Sequence, residues 1–216
     1  PFSDLDLMFL TPQPRAPWCE QVIEATLYSL WDLKLKVGQA IRTLPELLNL
    51  AADEMTVRTA VLEARLVAGD AALFEEGQTL FRSQIVAGSA AEFVAAKLKE
   101  RDERHEKMGD SRYLVEPNVK NGKGALRDLQ ILSWVAHYVH GAGRPVDLVE
   151  ANLLTPAEHA RFARASRFFW SVRCLLHLAA GRAEERLSFD HQRELATLLR
   201  YADRPGKSAV ERFMQM

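Results

Sequence analysis

After about Pro45 the apolar residues of this chain keep one helical spacing to the end, whereas before it strand-like runs occur, and that contrast limits what the chain can fold into. Before Pro45, "PFSDLDLMFL" holds a strand-like run over residues 4–10, and "LKVGQAIRT", Leu35 to Thr43, alternates Leu35, Val37 and Ile41 around Gly38. Between the two, Val22, Ile23, Leu27, Leu30 and Trp31 recur at helical spacing, and the prolines of "TPQPRAP" mark a loop. A strand, a helix and a strand of one sheet are therefore expected. After Pro45 the period is helical throughout, over roughly six to eight helices, with Thr155-Pro156-x-Glu158 as a start signal and Gly69 and Gly181 as stops. The expected fold is α+β and mostly α, a small β-sheet unit at residues 1–50 followed by an all-α helical bundle at 51–216.

Composition narrows the function classes. With 216 residues and 48% hydrophobic content the chain can bury a core. Its 28 basic and 29 acidic residues give a net charge of −1, so no global attraction to nucleic acid or an anionic membrane follows. No apolar run approaches the ~20 residues of a membrane span. Cys19 and Cys174 stand far apart and read as free thiols in a reducing cytosol, so a cytoplasmic location is expected. The chain starts beside a strand and stops inside the helical pattern of "AVERFMQM", as a fragment would.

Two stretches hold groups suited to chemistry. Asp4 and Asp6 are spaced i, i+2, which in a strand aims both carboxylates to one face, where hard oxygen ligands can hold Mg²⁺ against a nucleoside triphosphate. A lone D-x-D is more often a solvated strand end. The second stretch is the long non-helical segment "GDSRYLVEPNVKNGKG", Gly109 to Gly124, which runs into a helix with Arg127 in its first turn. Lys120, Lys123, Gly124 and Arg127 there form a candidate nucleotide- or phosphate-binding group, weighed evenly against a solvated loop. Joined to the acid pair, it would complete a nucleotide site. His137 with His140 and Cys174 with His177 have ligand spacing on helices but lack further ligands nearby. "KLKERDERHEKM" reads as a solvated, mixed-charge helix end, and "RFFWSVRCLLHLAAGR" as a core helix with snorkelling arginines.

Six blocks, "PFSDLDLMFL", "LWDLKLKVGQAIRT", "TVRTAVLEARLVAGD", "YLVEPNVKNGKGALRDLQ", "FFWSVRCLLHLAAGRAEERLSFDHQ" and "VERFM", resemble in order and spacing the amino-terminal part of the bifunctional protein-PII uridylyltransferase/uridylyl-removing enzymes. That resemblance implies a truncated polymerase-β-like nucleotidyltransferase unit followed by the group's helical domain. It also implies transfer of UMP from UTP to a tyrosine of the PII nitrogen-regulatory protein, with Mg²⁺ on Asp4 and Asp6 and glutamine as an effector through modules outside this chain. Glu116 to Asp128 match the family's E-P-N-x-K...G-G-L-R-D block, with Ala125 where the family usually has Gly. Gln39 stands where it usually has His. The superfamily's glycine-rich helix start and third carboxylate are missing from these residues, Asp53 or Glu54 being weak substitutes for the latter, so the fragment alone is expected to be inactive. The alternatives are a non-catalytic nucleotide- or protein-binding regulatory module of nucleotidyltransferase-like fold, and a small-molecule nucleotidyltransferase.

Overall fold

A computed structural model describes residues 2–12, 16–109, 114–141 and 147–215. The expected loop "TPQPRAP" and the segment 109–124 therefore lie partly outside the described residues. Contacts divide the chain into two compact units, one of Ser3–Phe93 and one of Val94–Met216 with residues 1–2. The expected boundary near residue 50 falls inside a helix, because the helices that follow the second strand pack in its own unit.

In the first unit, β1 (Leu5–Thr11) and β2 (Val37–Thr43) form a two-stranded parallel sheet joined by α1 (Pro17–Asp32). Parallel strands cannot be linked by a tight turn, and α1 supplies the crossover that such a pair requires. Its buried face is Cys19, Ile23 and Leu27, one residue per turn. α2 (Leu44–Asp53) starts directly from β2: Thr43 is the N-cap and its amide donates to Glu46 Oε2 at 2.7 Å. Leu44, Leu47, Leu48 and Ala51 of α2 are buried with Phe81 and Ile85 of a π-helical turn, Phe81–Val86, that continues α4 (Ala71–Leu80). α3 (Met55–Leu62) closes at Leu62, well short of Gly69, which instead turns the chain at φ 112° ahead of the Asp70 N-cap of α4. Arg58 of α3 is 4% exposed and donates from Nε to Ala51 O at 2.9 Å and from Nη2 to Ala52 O at 2.6 Å. It satisfies carbonyls at the end of α2 that the helix leaves open.

The second unit is helical: α5 (Ala90–Lys107, whose first turn reaches back to Phe93), α6 (Leu126–His140), α7 (Asp147–Glu150), α8 (Pro156–Ala180), α9 (Phe189–Leu198) and α10 (Ala209–Met214). The start signal at α8 forms as expected, Thr155 and Glu158 capping each other, and Gly181 ends the helix in the left-handed conformation. Val172, Leu176, Leu187, Leu195, Ala196 and Phe213 make a core among α8, α9 and α10, and Val119 from the long non-helical segment is buried in it. Among the described residues no helix is long and apolar enough to cross a membrane. The molecule is thus mostly helical with one small parallel sheet.

Replacing Arg58 by Met leaves the carbonyl of buried Ala51 without the Arg58 donor and removes the donor to the more exposed Ala52 carbonyl, so the 216-residue chain should lose about 1–3 kcal/mol of stability. Its thermal unfolding transition, followed by circular dichroism at 222 nm, should fall accordingly.

Candidate active site and the loop block

The acid pair lies at the start of β1. Asp6 is within the strand, and Asp4 precedes it, since pairing begins at Leu5, whose amide donates to Lys36 O at 2.8 Å. Both acids are exposed, and no hydrogen bond or ion pair among the described residues engages either carboxylate. An apolar strand carries Asp6, with Asp4 just before it, without a desolvation cost because neither is buried. Their chemistry suits Mg²⁺, which takes oxygen donors, retains waters and is commonly held by one or two carboxylates together with substrate phosphates. No group of three or more His, Cys, Asp or Glu side chains able to hold a metal occurs among the described residues. In the sheet Asp6 stands opposite Gly38, and β2 itself holds no acid. An open groove lined by Gln39, Arg42, Glu46 and Asn49 runs beside β2, with neither Asp4 nor Asp6 in its lining.

Lys120, Lys123, Gly124 and Arg127 belong to the second unit, and the block that carries them is built on internal bonds. Pro117 O accepts from Leu187 N at 2.9 Å, Val119 N donates to Glu185 O at 2.8 Å, and Asn118 bridges Arg186 in antiparallel fashion. The Glu116 carboxylate pairs with Arg186 and accepts from the Phe189 amide at 3.1 Å, while Gln192 Nε2 donates to Val115 O at 2.6 Å. Asn118 Oδ1 then accepts from the amides of Lys120 (3.0 Å) and Asn121 (2.7 Å), which folds the turn. A Cβ at Gly122 would lie 2.6 Å from Asn118 O, a backbone atom that cannot move aside, so only glycine fits.

The start of α6 differs from an open anion site. The amides of Leu126, Arg127 and Asp128 donate to the carbonyls of Val119, Lys120 and Ala125 at 3.2, 2.8 and 3.0 Å. The negative charge at this helix start comes from the protein's own Asp128, whose Oδ2 accepts from the Gly124 amide at 2.7 Å. Asp128 also pairs with Arg104 and lies 3.0 Å from His105 Nε2, fastening α6 to the end of α5. Arg127 lies over Trp134, its guanidinium carbon 5.3 Å from the ring centre, with Lys97 Nζ at 5.0 Å from that ring. Lys120 is half-buried and Lys123 exposed.

Several of these residues escape a reading by pattern. Lys97 and His105 are buried, not members of a solvated helix end. Arg173 is buried too rather than snorkelling, and it holds Glu185 in a two-pronged pair at 2.7 and 3.0 Å. His177, fully buried, has its Nε2 3.5 Å from Glu185 Oε1, and neither ring nitrogen makes a hydrogen bond among the described residues. Burial lowers its pKa, Glu185 opposing and Arg173 reinforcing the shift. The available signal was the i, i+4 spacing of Arg173 and His177 on one helix face, with Glu185 just past the Gly181 stop.

The family description "GlnD PII-uridylyltransferase" matches residues 92–216, more than half of the chain. This chain belongs to that family. It is similar over its full length to proteins named bifunctional uridylyltransferase/uridylyl-removing enzyme, at 55% identity to that of Novosphingobium aromaticivorans and 54% to those of Erythrobacter litoralis and Bradyrhizobium sp. strain ORS 278. The match covers 215 residues, 100% of this chain but only 24%, 23% and 23% of those relatives. No solved structure matches it.

Two outcomes follow from this geometry. Asp128→Ala leaves Arg104, whose Nε and Nη1 have no hydrogen bond among the described residues, without its carboxylate; the cost should be about 3–5 kcal/mol, with faster hydrogen exchange at Gly124. Because the His177 pKa is lower in the folded chain than its ordinary value near 6.5, the unfolded chain takes up the proton first. That contribution to stability is complete above about pH 6.5 and is lost as pH falls below it, so His177→Gln should flatten the decline of the urea midpoint between pH 7 and 5.

Proposed function

We propose that this chain forms part of an enzyme that transfers UMP from UTP to a tyrosine of the PII nitrogen-regulatory protein, with Asp4 and Asp6 as the metal-binding residues of a polymerase-β-like unit. The observation that carries the reading is an exposed acid pair at the start of a parallel strand, with no hydrogen bond or ion pair to either carboxylate among the described residues, in a chain of the PII-uridylyltransferase family. When bound, Mg²⁺ would supply charge neutralisation for the triphosphate. Asp4 and Asp6 hold it through their carboxylate oxygens. The tyrosine oxygen attacks the α-phosphorus as the bond to the bridging oxygen breaks, pyrophosphate leaves, and the phenolic proton passes to solvent.

Lys120, Lys123, Gly124 and Arg127 are proposed as a nucleotide- or phosphate-binding group of the helical unit. The α6 amides take no part in this, being donated to loop carbonyls. Effector control by glutamine is proposed to reach this region from outside the chain, and the chain by itself is proposed to be inactive. A second reading, a nucleotide-binding module without turnover, draws support from the absence of any acid in β2.

Incubating the full-length enzyme with labelled UTP, Mg²⁺ and a PII protein separates the two, since only the first places label on PII. Asp6→Asn in that enzyme should reduce transfer by at least about 100-fold while leaving helical content and melting unchanged; wild-type transfer by this variant would refute the assignment.

A further inference from the structure

The two strands of the sheet are in register Leu5 with Val37 and Asp6 with Gly38. Glycine inside a strand is a local disadvantage of roughly 0.5–1 kcal/mol relative to alanine, and where it occurs another group often approaches the backbone closely. At Gly38 the approaching group is identifiable. A Cβ built there would lie 2.7 Å from Asp6 Oδ1, a separation that real Cβ atoms do not tolerate, and its next neighbours, Asp6 Cγ and Leu5 O, are no closer than 3.9 Å. The space that a side chain at 38 would take is the space the Asp6 carboxylate occupies.

We infer that Gly38 is a positioning residue for the Asp6 carboxylate: by lacking a Cβ it lets the acid lie across β2 in the orientation from which it binds the cation. The inference rests on the reading of Asp6 as a metal ligand. Its physical content is a separation of effects. The obstructed atom is the free end of a short, exposed side chain, so a methyl group at 38 turns the acid aside without disturbing the backbone pairing. Alanine also has the better strand conformation. Filling the position therefore leaves the sheet intact and moves only the ligand, and displacements of about 1 Å in such a group are enough to lower a rate by about 100-fold.

The test uses the full-length enzyme with Mn²⁺ as the probe, free Mn²⁺ being counted by electron paramagnetic resonance, on wild type, Gly38→Ala and Asp6→Asn, with thermal melting and PII labelling in parallel. The Asp6→Asn variant defines which component of Mn²⁺ binding belongs to this acid. In Gly38→Ala that component should weaken about 10- to 100-fold, with transfer reduced and melting unchanged or raised. Wild-type Mn²⁺ binding by Gly38→Ala, where Asp6→Asn has lost it, overturns the positioning role and leaves the transfer reading standing. Undiminished binding in Asp6→Asn itself removes Asp6 as a ligand, and both claims with it. Loss of cooperative melting in Gly38→Ala also overturns the inference, because the glycine would then serve the sheet and not the acid.

Discussion

The pairing of β1 with β2 in parallel register is the constraint on which the amino-terminal unit depends. Parallel pairing requires a crossover, and α1 provides it. The same register ends β2 at Thr43, whose amide is taken at once by Glu46, so α2 is fixed to the sheet without a linker. Arg58 then ties α3 to the end of α2. Each step leaves the acid pair at the open beginning of the sheet, where a carboxylate stays solvated at no cost in burial.

In the helical unit the comparable role falls to Glu116, Asn118 and Asp128, three side chains of one short block. They accept from backbone amides and pair with Arg186, Arg104 and His105, so a stretch lacking regular structure is fixed by side-chain bonds in place of a helix's own ladder. Much of the sequence signature of this block is thereby explained by internal bonding: the glycine at 122 by an approach to Asn118 O, the aspartate at 128 by an arginine and a histidine of α5.

Period and punctuation made the elements legible in the sequence. The strand, helix, strand opening and the helices that begin at Pro156, Ala90 and Ala209 stand where their apolar spacing puts them, because spacing reports which face a local element buries. Polar side chains were legible only in part. Lys97 and His105 sit among charged neighbours and Arg173 among apolar ones, and local composition carries no information on a partner 12 or 24 residues away, as for Arg173 with Glu185 and Arg104 with Asp128. The candidate site divides the same way. Asp4 and Asp6 were visible as a spacing, whereas the pairing that sets Gly38 against Asp6 exists only once the strands meet.

The bonds made by Glu116 bear on how the chain comes to be assembled. Its partners, Arg186 and the Phe189 amide, lie 70 and 73 residues further along. During synthesis the stretch around Pro117 must leave the ribosome long before the residues that fix its shape exist, and it waits through the making of all of α6 and α8. Ordering of this stretch is consequently a late event, coupled to the docking of α9, and a ribosome-bound chain halted before residue 185 would expose it to proteases that the finished protein resists.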